Sequence, residues 1–210
     1  MREVLAAAVM VVVWGAGAAR GQSIDRLPMQ ARTPTVTVDI HDHADVPKWT
    51  MSRAVAEASA IFDGTDVRLE WRIRRWSRAE TRPQGAPVDA NAITVQIVPA
   101  VRDLQIAQDP TILGAVPGAH IGGRIAYLFS ARIDVVAKRN SVAPGALLGI
   151  VLAHELGHVL LPGRPHSPHG IMRPFCAAQQ IQEILSGHHG FSAAETQLIR
   201  RSVSIGPVPE

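Results

Sequence analysis

The sequence predicts an α+β domain, and three observations carry that prediction. Residues 35–40 and 67–73 each alternate apolar with polar side chains, the two-residue period of a half-buried strand, and a helix-like apolar stripe lies between them. Residues 145–161 are apolar almost all round, which marks a helix buried in a core. Ser192-Ala193-Ala194-Glu195 has the spacing of a capping box, in which a serine and a glutamate satisfy backbone amides at the start of a helix. With 47% hydrophobic residues in a chain of 210, there is enough apolar content for one medium domain with a real core, and no repeat divides it.

Met1-Arg2-Glu3 precede an apolar run from Val4 to Ala19 and small residues near Gly21, the layout of a secretory signal peptide over residues 1–21. The run is short for a bilayer span and no second one follows, so no stable membrane anchor is expected; an uncleaved N-terminal anchor is the competing reading. Residues 22–34 form a short N-terminal segment, and a single domain is expected over 35–210. Export to a periplasm or the exterior agrees with the presence of one cysteine, Cys176, which leaves no intramolecular disulfide. That cysteine fits a buried small hydrophobe and an exposed thiol equally.

Thr35 to Ile40 is the first strand. Pro47 to Phe62 reads as a helix with its stripe on Trp49, Ala54, Val55, Ala58, Ile61 and Phe62, and Asp63-Gly64 ends it. Val67 to Ile73 is the second strand, with one face on the core and one in water, and this strand-helix-strand order suits a right-handed crossover. A turn-rich stretch over 77–91 leads to a third strand, Ala92 to Pro99; a helical or irregular piece follows over 102–107. Gly122 to Phe129 is the fourth strand, and Ile133 to Arg139 is helical. The arginines at 68, 72, 74, 75, 78 and 82 alternate with apolar residues and belong to no nucleic-acid module, so they are expected to be a solvated strand face and no nucleic-acid partner is predicted.

The apolar helix carries the chemistry. Ser141 is the expected cap, Pro144 stands in the first turn, and Pro162-Gly163 closes it. Its only ionisable residues are His154, Glu155 and His158. Imidazoles four residues apart on a helix lie on one face and can grip one metal ion, with Glu155 projecting beside it. Chance would produce this pentapeptide in roughly one chain in seventy of this composition, so its context has to decide. Three polar groups in an apolar helix are costly to bury unless something pairs them, and a divalent metal would do so. The alternative is a core helix with two satisfied histidines. A catalytic zinc wants three protein ligands and an open position, and His166 and His169 are the candidates for the third. Glu183, on a later apolar-periodic segment, is a further conceivable donor. His188 and His189 sit between glycines and read as a loop; His41 and His43 share a strand face and are expected to face solvent, a second ion being the rival reading.

From His154 to Pro174 the chain resembles the zincin metallopeptidases, and within them metzincins of the matrixin type. The resemblance rests on His154-Glu155-Leu156-Gly157-His158, His166-Ser167 and Ile171-Met172-Arg173-Pro174. In the usual pattern the third histidine comes six residues after the second; here that position is Arg164, and His166 follows a two-residue insertion in the loop Pro162-Gly163-Arg164-Pro165. The resemblance implies a metzincin-like domain with a twisted mixed β-sheet, a backing helix, a buried zinc-site helix, a Met-turn at Met172 and a C-terminal helix. It implies a secreted zinc-dependent endopeptidase acting on peptide or protein substrates. His154, His158 and His166 would hold zinc, and Glu155 would be the general base toward a zinc-activated water. Gly123 to Phe129 would be the open edge strand that receives an extended peptide. The chain departs from the family in having no cysteine ahead of the site to keep it latent, and its one tyrosine, Tyr127, precedes the zinc helix. The altered loop motivates an alternative: a secreted, non-catalytic zinc-binding protein whose site is closed by His169 as fourth ligand.

Overall fold

The computed structural model describes residues 33–75, 89, 91–99, 109, 111–174, 178–186 and 190–205. Five strands and five α-helices are formed among them: β1 (Thr35–Asp42), α1 (Lys48–Asp63), β2 (Arg68–Arg75), β3 (Ile93–Val98), β4 (Gly114–Ala115), β5 (Ile125–Phe129), α2 (Ser130–Arg139), α3 (Pro144–Leu160), α4 (Ala178–Leu185) and α5 (Ala193–Ile205). A single 3-10 turn, Ala119–Ile121, lies between β4 and β5. The fold is α+β with a mixed sheet in the order β2-β1-β3-β5-β4. β2, β1, β3 and β5 run parallel, and β4 alone is antiparallel to its neighbour. No helix of the described residues is long and apolar enough to cross a membrane.

Strand alternation places Val36, Val38 and Ile40 of β1, Ile93, Val95 and Ile97 of β3, and Ala126 and Leu128 of β5 in the core. α3 lies at the centre and contacts β4, β5 and each of the other four helices, which is why its apolar residues need no polar face. Its closest partner is α1. A Cβ on Gly145 would lie 2.7 Å from the Thr50 carbonyl oxygen and one on Gly149 2.6 Å from that of Ala54, so this crossing depends on glycines at four-residue spacing.

Three expectations are corrected. Ser141 does not cap α3: Ala143 holds the N-cap position with no side-chain bond, and Ser141 adopts φ 55°. It ends α2 instead, because Ser141 N–H donates to Lys138 O (3.3 Å) and Val142 N–H to Ala137 O (2.9 Å), the paired bonds of a Schellman turn. α2 begins at Ser130, directly after β5, three residues ahead of the expected start at Ile133. Finally, Gly123 to Phe129 is not an edge. β5 is paired on both sides, by β3 and by β4, and the edge is the two-residue β4, too short for any alternating pattern to announce.

β2 is the opposite edge, with Leu69 and Trp71 half-buried and its arginines exposed. Trp71 Nε1–H donates to Ser59 Oγ on α1 at 3.0 Å. His41 and His43 are bridged by Gln96, whose amide nitrogen is 3.2 Å from His41 Nδ1 and whose oxygen is 2.7 Å from His43 Nε2. The predicted signal peptide, the irregular piece over 102–107, Arg78, Arg82, Cys176, His188 and His189 lie outside the described residues.

Candidate metal centre

α3 carries His154 and His158 one turn apart, and the following loop folds back to bring His166 against both. Their Nε2 atoms form a triangle with sides of 3.1, 3.2 and 3.3 Å. Nitrogens on a tetrahedral zinc at bond lengths of about 2.0–2.1 Å stand about 3.3 Å apart, so the triangle fits that ion. Among the described residues this is the one group of three or more histidine, cysteine or carboxylate donors close enough to share a metal. Exposed His169 is outside it, as is Glu183, which lies 3.8 Å from Arg173 in an ion pair.

The protonation states suit ligation. His154 Nδ1–H donates to the Ile171 carbonyl at 2.7 Å, which leaves Nε2 with its lone pair. Burial, with neighbouring His158 adding to it, lowers the His154 pKa to about 3. Burial and then His166 lower that of His158 to about 4, and burial lowers that of His166. All three rings are therefore neutral near pH 7, the form that binds a cation.

Glu155 is 4% exposed and sits against β4. A Cβ on Gly114 would lie 2.6 Å from its Oε1 and 2.7 Å from its Cγ, so the carboxyl occupies space that any side chain at 114 would take. Burial pushes the Glu155 pKa up to about 8, and a divalent cation beside it would act in the opposite direction. A cleft of about 360 Å³ covers the group. It is lined by His154, Glu155, His158 and His166, by Thr111 to Val116 around β4, and by Ala119 and Pro174. Such an arrangement can hold a Lewis acid and a proton acceptor side by side in an open cleft. A second hollow of about 380 Å³, bordered by Asp63, Asp66 and Arg68, holds no group of three such donors among the described residues.

Met172, 1% exposed, lies under α3, where a Cβ on Gly157 would run into its sulfur and approach Phe191 to 3.0 Å. The loop from α3 to Met172 is fastened at several points. Gly163 N–H donates to Ala119 O (3.2 Å), Ser167 N–H to Met172 O (3.0 Å) and Ile171 N–H to Gly190 O (3.2 Å). Gly170, at φ 76°, also passes so near Gly190 that a Cβ would be 2.6 Å from its oxygen. Ser167 Oγ–H donates to Glu195 Oε1 at the start of α5. Sequence reasoning missed Gly114, which no motif marks, and read Glu195 only as a cap. Tyr127, half-buried on β5, does not line the cleft.

No protein-family model matches this chain, and no curated protein does. Its architecture is nonetheless similar to that of archaemetzincin from Methanopyrus kandleri (TM-score 0.51, 15% identity), covering 82% of this chain and 98% of that one. The chain shares the fold of that protein. A zinc-dependent peptidase from Methanocorpusculum labreanum matches at TM-score 0.51 and 13% identity over 77% of this chain and 99% of that one. Metalloproteinase-II from Bacteroides fragilis matches at TM-score 0.51 and 12% identity, over 83% of this chain and 55% of the other.

Proposed function

We propose that this protein is a zinc-dependent endopeptidase of the metzincin type, with a matrixin-like site in which two extra residues precede the third histidine. The observation that supports it best is the triangle of imidazole nitrogens opening onto a cleft beside a buried glutamate. In this reading His154, His158 and His166 hold the ion, and the separation of His169 from them favours an open fourth position over a closed structural site. Zinc held there supplies Lewis acidity toward water and toward a peptide carbonyl. Glu155 accepts the proton of the attacking water on its carboxylate and delivers it to the departing amine. Met172 is the Met-turn residue, filling the space under the helix at Gly157 so that the ligand-bearing turn cannot settle inward.

An extended peptide would lie along β4, whose side away from β5 pairs with no other strand among the described residues. Residues 1–21 act as a signal peptide in this reading, so the enzyme works in a periplasm or outside the cell. Elemental analysis of wild type, His166→Ala and His169→Ala, run beside cleavage of a mixed peptide library, tests the assignment. A single zinc that is lost with His166→Ala and kept with His169→Ala, together with chelator-sensitive cleavage, is the expected result. Glu155→Gln should keep the metal and lose about 100- to 10,000-fold in turnover. Full activity of Glu155→Gln would remove the glutamate from the mechanism, and zinc that needs His169 with no cleavage would make the site structural.

A further inference from the structure

The third histidine is held differently from the other two. His154 and His158 project from a rigid helix, and His154 is fixed further by its bond to Ile171 O. His166 stands on an exposed loop, and its only hydrogen-bond contacts among the described residues are with the other two imidazoles. Its direction must therefore come from its backbone, and the backbone is gripped at Ser167. Ser167 N–H closes the loop on Met172 O (3.0 Å), and Ser167 Oγ–H reaches across to Glu195 Oε1. Glu195 is 8% exposed, and its other oxygen accepts Ser192 N–H at 2.7 Å. α5 is itself braced, ahead of its first turn by Phe191 edge-on to Phe62 at 4.9 Å and further along by Arg200 Nε–H on Thr65 O at 2.8 Å.

We propose that Glu195 is a positioning residue for the metal centre: through Ser167 it ties the third ligand, His166, to the frame made by α5 and α1. The inference rests on the three-histidine reading above. A carboxylate used only as a helix cap would bond within its own turn, whereas this one spends an oxygen on a hydroxyl 28 residues away beside the ligand. Groups that orient a metal ligand typically change metal affinity about 10- to 100-fold when removed.

The test is zinc affinity by chelator competition, with the visible spectrum of the cobalt-substituted protein as a geometric readout, across Ser167→Ala, Glu195→Ala, the double variant, Ser192→Ala and His166→Ala. Ser167→Ala and Glu195→Ala should each weaken zinc binding about 10- to 100-fold and alter the cobalt spectrum. The double variant should be no weaker than the worse single one, because both remove one contact. Ser192→Ala, which removes the cap hydroxyl (3.3 Å from Glu195 N) but leaves the Ser167 contact, should lower Tm with wild-type zinc affinity. Loss of zinc in His166→Ala with wild-type affinity and spectrum in Ser167→Ala would overturn this proposal alone. Ser192→Ala weakening zinc as much as Ser167→Ala would also overturn it, since the effect would then pass through helix stability. Wild-type zinc binding by His166→Ala would overturn the three-histidine reading, and the positioning role with it.

Discussion

At the scale of single residues, the site is shaped as much by an absent side chain as by those present. Glu155 reaches its place because Gly114, on β4, presents only hydrogen where a Cβ would lie 2.6 Å from Oε1. Gly114→Ala should therefore push the carboxyl aside without touching a histidine. With Glu155 as the general base proposed above, displacement by about 1 Å can cost about 100-fold, so we expect kcat/KM to fall on that order with zinc content unchanged. Peptide turnover measured beside elemental analysis checks this, and loss of zinc in parallel with activity would contradict it. Met172 and Gly157 show the same complementarity on the other side of α3, a sulfur packed where a methyl group would otherwise stand.

At the scale of elements, the α1–α3 crossing sets how deeply the helix that carries His154 and His158 sits. Alanine ordinarily stabilises a helix interior relative to glycine by about 1 kcal/mol. At Gly149 the sign should reverse, because the new Cβ meets the Ala54 carbonyl oxygen at 2.6 Å and backbone must move. Gly149→Ala should cost about 1–3 kcal/mol in denaturant unfolding. Gly64 supplies the opposite case: it follows α1 at φ −66°, and a Cβ there meets nothing within 4 Å. Gly64→Ala should be neutral or stabilising by up to about 1 kcal/mol, through the unfolded chain. Equal effects at the two positions would mean that the close crossing does not constrain the fold.

At the scale of the whole described domain, α3 collects buried and partly buried ionisable groups whose opposed shifts set how stability follows pH in the metal-free protein. His154 and His158 fall from 6.5 to about 3 and about 4, so the unfolded chain binds more protons below pH 6.5 and the stability they allow is lost as pH drops through that window. Glu155 rises from 4.5 to about 8, so the folded state binds the extra proton above pH 4.5 and stability falls as pH rises toward about 8. These two histidines, with His166 shifted in the same direction, outweigh one carboxyl below pH 6.5, and the carboxyl acts alone above it. Chelated wild type should be most stable near pH 6.5 and weaken toward pH 8; chelated Glu155→Gln should lose that upper decline. Urea midpoints in chelator from pH 5 to 9 read this directly, and an unchanged decline in Glu155→Gln would refute it. By itself the sequence determined what depends on local spacing: the strands of alternating residues, the buried helix, the His154–His158 pair and the Ser192–Glu195 cap, because each is a relation between residues a few positions apart. Only the tertiary structure decided which strand is the edge, that Ser141 ends one helix and does not start the next, that His166 and not His169 joins the pair, and that Gly114 makes room for Glu155. The edge, the third histidine and the space at Gly114 are meetings between separate segments, set by packing around α3, where no local period records the partner; the Ser141 turn is local, but the serine serves as well to end α2 as to cap α3 until its φ of 55° decides.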